Sequence, residues 1–309
     1  MSEVLRAGVI GAGVFGGYHA GKYAALPGVT LAGVYDHHAV HAEALCTRFG
    51  GRVFASEAEL LASVDIVSVA TPATAHAEAV IAALEAGKPV YVEKPVATSP
   101  EDADQIVRLA KARGLVAACG FLERSALSAL GLFDIPERPT LLEAVRVGPP
   151  SPRNLDVSVV LDLMIHDIDL ALALASSAPL TVEVDGAAVT NRTLDVVDAE
   201  VEFEDGFIAR FRASRIHDAR ERTMRIVYPS GEVRVDFLTH TFRNTTPFAL
   251  DADFEAKPAA KDGLGASIGA FVAAVRGERP APLATVEDGA RALDLALAVE
   301  AAMVQQGLV

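Results

Sequence analysis

Residues 4 to 36 read VLRAGVIGAGVFGGYHAGKYAALPGVTLAGVYD, and this stretch decides the fold. A short apolar run, Ala7 to Ile10, leads into Gly11-Ala12-Gly13-Val14-Phe15-Gly16, a G-x-G-x-x-G turn that opens a helix-length segment. A second apolar run, Leu31 to Tyr35, then ends in Asp36. Gly11 permits the tight turn, Gly13 lets the backbone approach a pyrophosphate, and Gly16 lets the helix pack close to the sheet. The phosphates would sit over free N–H groups at the positive end of the helix dipole, with Val14 and Phe15 as further cofactor contacts. Asp36 stands 25 residues after Gly11, where a carboxylate accepts both hydroxyls of an adenosine ribose. The expected ligand is NAD rather than NADP, because a 2′-phosphate would meet the Asp36 charge. His37 and His38, when protonated, soften that preference and keep NADP open.

The pattern around this stretch predicts an α/β chain. Strands are expected at 6–10, 30–35, 64–70, 89–92 and 116–119, with helices at 15–25, 39–48, 57–62, 74–86 and 100–113. Such alternation implies a doubly wound parallel sheet covered on both faces. Thr98-Ser99-Pro100-Glu101 is a capped helix start with Pro in the first turn. After residue 120 strands follow one another: 140–147, 181–189, 199–204 with 207–213, and 223–228 with 232–237. Glu204-Asp205-Gly206 and Pro229-Ser230-Gly231 punctuate the hairpins. This predicts a C-terminal α+β domain with an open, largely antiparallel sheet, one helix at 158–175, a long loop at 238–262 and two final helices. The expected domains are 1–121, a Rossmann domain, and 122–309, for substrate and oligomerisation.

At 309 residues the chain has room for two domains, and 51% hydrophobic with 22% charged residues is an ordinary globular balance. A net charge of −14 without any Lys/Arg block argues against nucleic acid, so anions must be held by local groups. Cys46 and Cys119 lack metal-ligand or C-x-x-C spacing, which fits a reducing cytoplasm. Five glycines from Gly8 to Gly17 suit a βαβ unit better than a signal peptide. No apolar run nears the roughly 20 residues needed to span a bilayer, so a cytoplasmic protein without a membrane partner is expected.

Three further places carry chemistry. Ala70-Thr71-Pro72 ends the third long strand, where doubly wound sheets bind ligands, so Thr71 and Pro72 should line the cofactor. His76, in the next helix's first turn, suits a cofactor contact or helix packing equally. Val90-Tyr91-Val92-Glu93-Lys94-Pro95 places two charges at the end of an apolar strand. They form a structural pair or face a cavity, with Glu93 near the nicotinamide ribose and Lys94 on a substrate oxygen, since an ammonium stabilises an alkoxide. In the helix expected at 158–175, Asp162, His166 and Asp169 share one polar strip between two apolar stripes. Asp162 and His166, one turn apart, suit a general base or a satisfied core pair. No third ligand appears at useful spacing for a metal. His37, His38 and His41 read as solvated.

Taken together, GAGVFGGYHAGKYAALPGVTLAGVYD, ATPATAHAEAVIAALEAGKPVYVEKPVA, DLMIHDIDL and ASIGAFVAAVRGERPAPLATVEDGARALDLAL resemble the glucose–fructose oxidoreductase / inositol dehydrogenase / rhizopine catabolism (Gfo/Idh/MocA) family of NAD(P)-dependent oxidoreductases. The resemblance runs the whole length and implies a sheet that often mediates homodimers or homotetramers. It implies that Lys94 contacts the reacting hydroxyl, Asp162 is an acid of the substrate site and His166 accepts the proton, while hydride passes to nicotinamide. The implied substrate is a secondary ring alcohol of a sugar, polyol or UDP-sugar. DLMIHDID is similar to the version in relatives acting on UDP-linked amino sugars. Two departures stand out: Met164 where many relatives have Gly, and Gly120-Phe121-Leu122-Glu123-Arg124-Ser125, which keeps the family's arginine but not its asparagine or proline. Arg124 is carried over as a substrate contact. The other readings of the fold are a dihydrodiol- or biliverdin-type reductase, an NAD-dependent glycosidase, and a non-catalytic NAD-binding sensor. A sensor has no use for a proton acceptor beside the nicotinamide.

Overall fold

The strand–turn–helix–strand expected at residues 4 to 36 is β1 (Leu5–Ile10), α1 (Val14–Ala25) and β2 (Val29–Tyr35) in a computed structural model that describes residues 4–150, 157–189 and 193–305. Residues 151–156 lie outside the described residues. The chain divides into two units, residues 1–122 with 262–290, and residues 123–261 with 291–309. The expected boundary after residue 121 therefore leaves out 262–290. These residues join the first unit because their apolar side chains, Leu264, Ile268, Phe271 and Val272, complete its core with Ala20, Tyr23 and Leu31.

After β2 the first unit continues with α2 (Ala39–Phe49), β3 (Arg52–Val53), α3 (Glu57–Ser63), β4 (Ile66–Val69), α4 (His76–Glu85), β5 (Val90–Val92), α5 (Pro100–Arg113) and β6 (Ala117–Cys119). Six parallel strands lie in the order β3-β2-β1-β4-β5-β6, so the winding direction reverses between β1 and β4. That reversal opens a crevice at the carboxyl ends of the strands. The capped start foreseen for α5 is present: the Ser99 hydroxyl accepts the Asp102 N–H at 3.2 Å, and Pro100 occupies the first turn. Gly114 ends the helix at a left-handed φ of 61° that a side chain would strain.

In the second unit come α6 (Glu123–Leu130), β7 (Leu141–Val147), a π-helical turn (Val160–Met164), α7 (Ile165–Leu174), β8 (Pro179–Ala187), β9 (Val196–Phe203), β10 (Ile208–Ser214), β11 (Glu221–Tyr228), β12 (Gly231–Asp236), β13 (Thr241–Asn244) and α8 (Pro258–Lys261). The chain ends in α9 (Gly263–Val275), which belongs to the first unit, and α10 (Val286–Gln305), which starts there and continues into the second. Seven strands form the sheet β13-β12-β11-β7-β10-β9-β8, antiparallel except for the parallel β7–β10 pair. One face is apolar: Leu142 and Ala144 of β7, Met224 and Ile226 of β11, and Ala209 and Phe211 of β10 are buried. The other carries ion pairs, Arg210 with Glu200 at 2.6 Å and Arg225 with Glu143 at 2.7 Å.

Three expectations change. The 238–262 segment is not one loop, since β13 pairs with β12 and α8 follows. The expected single helix at 158–175 is a π-helical turn followed by α7. Residues 123–130, read only as a motif, form α6.

Arg215 holds the far end of this unit together. Its guanidinium donates to Asp195 at 2.7 Å, to the Val157 carbonyl at 2.8 Å and to the Thr193 hydroxyl at 2.5 Å. Asp195 is fully buried, so removing its cation leaves an uncompensated interior charge. Arg215→Leu should therefore destabilise the protein by about 3 to 5 kcal/mol, read as a lower urea midpoint by circular dichroism. An unchanged midpoint would show that Asp195 needs no such partner.

Candidate active site

Steric demand at the glycine turn matches the chemistry read from it. A Cβ on Gly11, whose φ is +94°, would lie 2.7 Å from the Ala70 carbonyl carbon. One on Gly16 would lie 1.9 Å from the Gly11 carbonyl oxygen. Gly13 is different: nothing lies within 4 Å of its missing Cβ, so its backbone faces open space where a phosphate could approach. Val14 and Phe15, in the first turn of α1, are both exposed apolar side chains. Asp36 leaves the end of β2, accepting the Ala12 N–H at 2.7 Å and the His38 N–H at 2.8 Å. These bonds fix its carboxylate at the turn. His41 Nδ1 lies 3.7 Å away and is exposed, as expected for a solvated histidine.

Thr71 and Pro72 follow β4, at the crevice. The Thr71 hydroxyl is buried with no hydrogen-bond partner in the protein, an arrangement that a bound group would satisfy. The open face at Gly13, this orphaned hydroxyl and the fixed Asp36 together fit an NAD molecule. His76 has both ring nitrogens on backbone carbonyls. It is buried, with Nδ1 2.7 Å from the Pro95 carbonyl and Nε2 2.9 Å from the Thr71 carbonyl. Burial lowers its pKa against the raising effect of both carbonyls, so the ring is neutral and donates to one of them at a time. Its place is a clamp between two turns, which favours the packing alternative of the two read for it.

Glu93 and Lys94 stand after β5, and the Lys94–Pro95 bond is cis. Glu93 is nearly buried and is held by a residue the sequence did not single out. His19, inside α1, contacts Glu93 Oε1 through Nε2 at 2.8 Å and the Ser68 hydroxyl through Nδ1 at 2.9 Å. The Tyr23 hydroxyl closes the chain onto Ser68 at 2.7 Å. The spacing of His19 three residues beyond Gly16, on the helix face that must pack against the sheet, was its only signal.

In the second unit the organising group is Arg146. Strand alternation puts it on the buried face beside Leu142 and Ala144, where an unpaired charge would be costly. Its Nε and Nη2 both donate to Asp167 at 2.9 Å, and Nη1 donates to Glu123 at 2.8 Å. Burial disfavours the Arg146 charge, but Asp167 and Glu123 outweigh it and raise its pKa. The second Glu123 oxygen meets His166 Nδ1 at 2.9 Å. Burial would raise the Glu123 pKa; the His166 and Arg146 charges and the His166 hydrogen bond reverse this and hold it well below the usual carboxylate range. An ionised carboxylate only accepts, so Nδ1 carries a proton on the side that faces Glu123.

The acid that orients His166 is therefore Glu123, from α6, and not only an acid on the same helix. Asp162 sits half-buried in the π-helical turn, so the regular one-turn spacing expected between it and His166 does not apply. Arg124 also differs from expectation: its Nε and Nη2 both donate to the fully buried Asp169 at 2.7 Å. That pair ties α6 to α7. Glu123 and Arg124 were legible as two adjacent charges after a buried strand, the same signal that marked Glu93 and Lys94. Among the described residues no group of three or more His, Cys, Asp or Glu is arranged to hold a metal ion.

Residues 5–121 match the model of an oxidoreductase family with an NAD-binding Rossmann fold, and residues 148–234 match the Gfo/Idh/MocA C-terminal domain. The UDP-N-acetylglucosamine 3-dehydrogenase of Acidithiobacillus ferrooxidans is 37% identical over 308 residues, covering 97% of each chain. A solved structure of that enzyme superposes with a TM-score of 0.88 at 36% identity, covering 98% of both chains. An inositol 2-dehydrogenase of Cereibacter sphaeroides is 32% identical over 175 residues, 54% of this chain and 52% of that one. No described helix is long and apolar enough to cross a membrane. Two family models along one chain, and a dehydrogenase matched from end to end, place the protein in the Gfo/Idh/MocA family of NAD-dependent oxidoreductases acting on CH–OH groups.

Proposed function

We propose that this chain oxidises a secondary ring hydroxyl of a UDP-linked amino sugar. The carrying observation is the Glu123–His166 pair at 2.9 Å, which fixes the tautomer a proton acceptor needs. The 37% identity to a UDP-N-acetylglucosamine 3-dehydrogenase over 97% of the chain supports this substrate over a free sugar or polyol, because the sequence match to the Cereibacter sphaeroides inositol 2-dehydrogenase covers only 54% of it.

NAD supplies the hydride-accepting ring when bound, held by Gly11, Gly13, Val14, Phe15, Asp36, Thr71, Pro72 and Glu93. His166 takes the hydroxyl proton on Nε2. Glu123 then faces an imidazolium, and its negative charge offsets the new positive one. Lys94 donates to the substrate oxygen and stabilises negative charge on it as the C–H bond breaks. Asp162 accepts from a neighbouring substrate hydroxyl. Cys46 and Cys119 form no disulfide, which supports a cytoplasmic location. The exposed charged face of the seven-stranded sheet supports a homodimer or homotetramer.

Purified protein with NAD and UDP-N-acetylglucosamine should form NADH, followed by its near-ultraviolet absorbance. No turnover on this or any other UDP-sugar, with NAD demonstrably bound, would sink the substrate assignment. His166→Ala should lower kcat by about 10² to 10⁴ while NAD affinity stays unchanged. Glu123→Gln keeps the Arg146–Asp167 bond but can no longer act as an ionised acceptor, so kcat should fall on the order of 10²-fold with little change in KM. A KM effect without a kcat effect would make Glu123 a substrate contact instead. Asp36→Ala should weaken NAD more than NADP; equal weakening would remove its ribose role.

A further inference from the structure

The Arg146 hub leaves one cation next to it without a counter-ion. Arg222 of β11 is the direct cross-strand partner of Arg146 on β7. Cross-strand partners project from the same face with Cβ atoms about 5 Å apart, and like charges placed so are destabilising. Arg146 is already saturated by Asp167 and Glu123 and is buried. Met224 and Ile226 continue the Arg222 face inward and are fully covered, whereas Arg222 itself is exposed. It therefore lies where the helical cover of this face runs out. Arg220, also exposed, precedes it by two residues, and its side chain runs beside Gly148, whose missing Cβ would sit 3.5 Å from Arg220 Cγ.

Among the described residues neither Arg220 nor Arg222 has a carboxylate within ion-pair distance. The groups of this cluster are Arg146, Arg220 and Arg222 against Glu123 and Asp167, three positive and two negative, an excess of one positive charge. Surrounding protein first, then the Arg146 and Arg220 charges, lower the Arg222 pKa, while Glu123 and Asp167 oppose the shift. A crowded, net-positive corner is notable in a chain with a net charge of −14. Only two side chains, Arg146 and Glu123, separate it from His166.

From this placement we propose that Arg222, assisted by Arg220, is the subsite for the diphosphate of a nucleoside-diphosphate sugar. It rests on the reading above that such a sugar is the substrate. A diphosphate on the anomeric carbon is separated from a reacting ring hydroxyl by the sugar ring alone. A cation near the proton acceptor, yet outside its hydrogen-bond network, suits that chemistry. The guanidinium matches phosphate oxygens two at a time, and the charge excess attracts the anion that the rest of the molecule repels. Free sugars and inositols have no group for this corner, so Arg222 acts as a specificity determinant as well as a binding residue.

Calorimetric titration of the NAD-loaded full chain with UDP, and with uridine as the phosphate-free control, tests the assignment. Arg222→Gln should weaken UDP binding by about 10- to 100-fold, the span expected for a lost charged hydrogen bond. Arg222→Lys should recover part of it, uridine should be unaffected, and thermal melting should confirm the folded state. Added salt should weaken UDP on the unmodified chain more steeply than on Arg222→Gln. Equal UDP affinity in Arg222→Gln and the unmodified chain, no UDP binding at all, or parallel loss of uridine and UDP would overturn the proposal. Kinetics separates it from the reading beneath it. UDP bound through Arg222 without oxidation of any UDP-sugar removes the dehydrogenase reading and keeps the subsite. Oxidation with an unchanged KM in Arg222→Gln keeps the reading and removes the subsite.

Discussion

A guanidinium buried beside aliphatic side chains needs counter-charges, and in the second unit that need sets the geometry of everything around it. Transferring such an ion from water costs several kcal/mol, recovered only when the partners are well placed. Arg146 meets the condition with a two-pronged bond to Asp167 and a third bond to Glu123. One strand residue thereby fixes the start of α6 and the first turn of α7. The Glu123 carboxylate has one oxygen on Arg146 and the other on His166, so its orientation cannot drift without breaking one bond. The imidazole inherits its tautomer from a charge buried in the sheet.

The first unit solves a similar problem with backbone in place of a buried arginine. Gly16 must lack a Cβ for α1 to approach the Gly11 carbonyl, and this contact fixes where the helix N-terminus lies over the crevice. His19 then reaches Glu93 and Ser68 from inside the same helix. The Glu93 turn is thus referenced to the glycine turn, not only to its own strand. His76 does the same between the Thr71 and Pro95 carbonyls. The turns at Glu93 and Thr71 are each tied by a buried histidine to a neighbouring element.

What the sequence revealed and what it hid divide along the range of the interaction. The βαβ elements were legible because apolar periodicity, the Ser99–Pro100 start and the glycine stops are local signals. β3 has two residues and no pattern to read, and it forms because Gly33 lets it approach. β13 follows the turn at 237–240 and exists through its pairing with β12. The same division holds at the site. Lys94 and His166 stand out in their own segments, whereas Glu123 is 43 residues from the histidine it orients. Arg124 shows the reverse: family position suggested a ligand contact, but a buried acid 45 residues away holds its guanidinium. An arginine at an inward strand position predicts buried carboxylates; it does not say which ones.

The π-helical turn before α7 gains meaning from these partners. Successive residues of an α-helix point about 100° apart, so Asp167 and Asp169 diverge by about 160° around α7, with His166 between them. Both acids are buried, one on Arg146 of the sheet and the other on Arg124 of α6. Two opposed clamps leave α7 no freedom to rotate, and the direction of His166 follows. A continuous α-helix from residue 158 would carry this locked phase backward and dictate the Asp162 direction as well. The wider π ring changes the phase at Val160–Met164. Asp162 is thereby uncoupled from the rotation that the buried acids impose. One segment thus holds a histidine whose aim is set by the core and an aspartate whose aim is set separately.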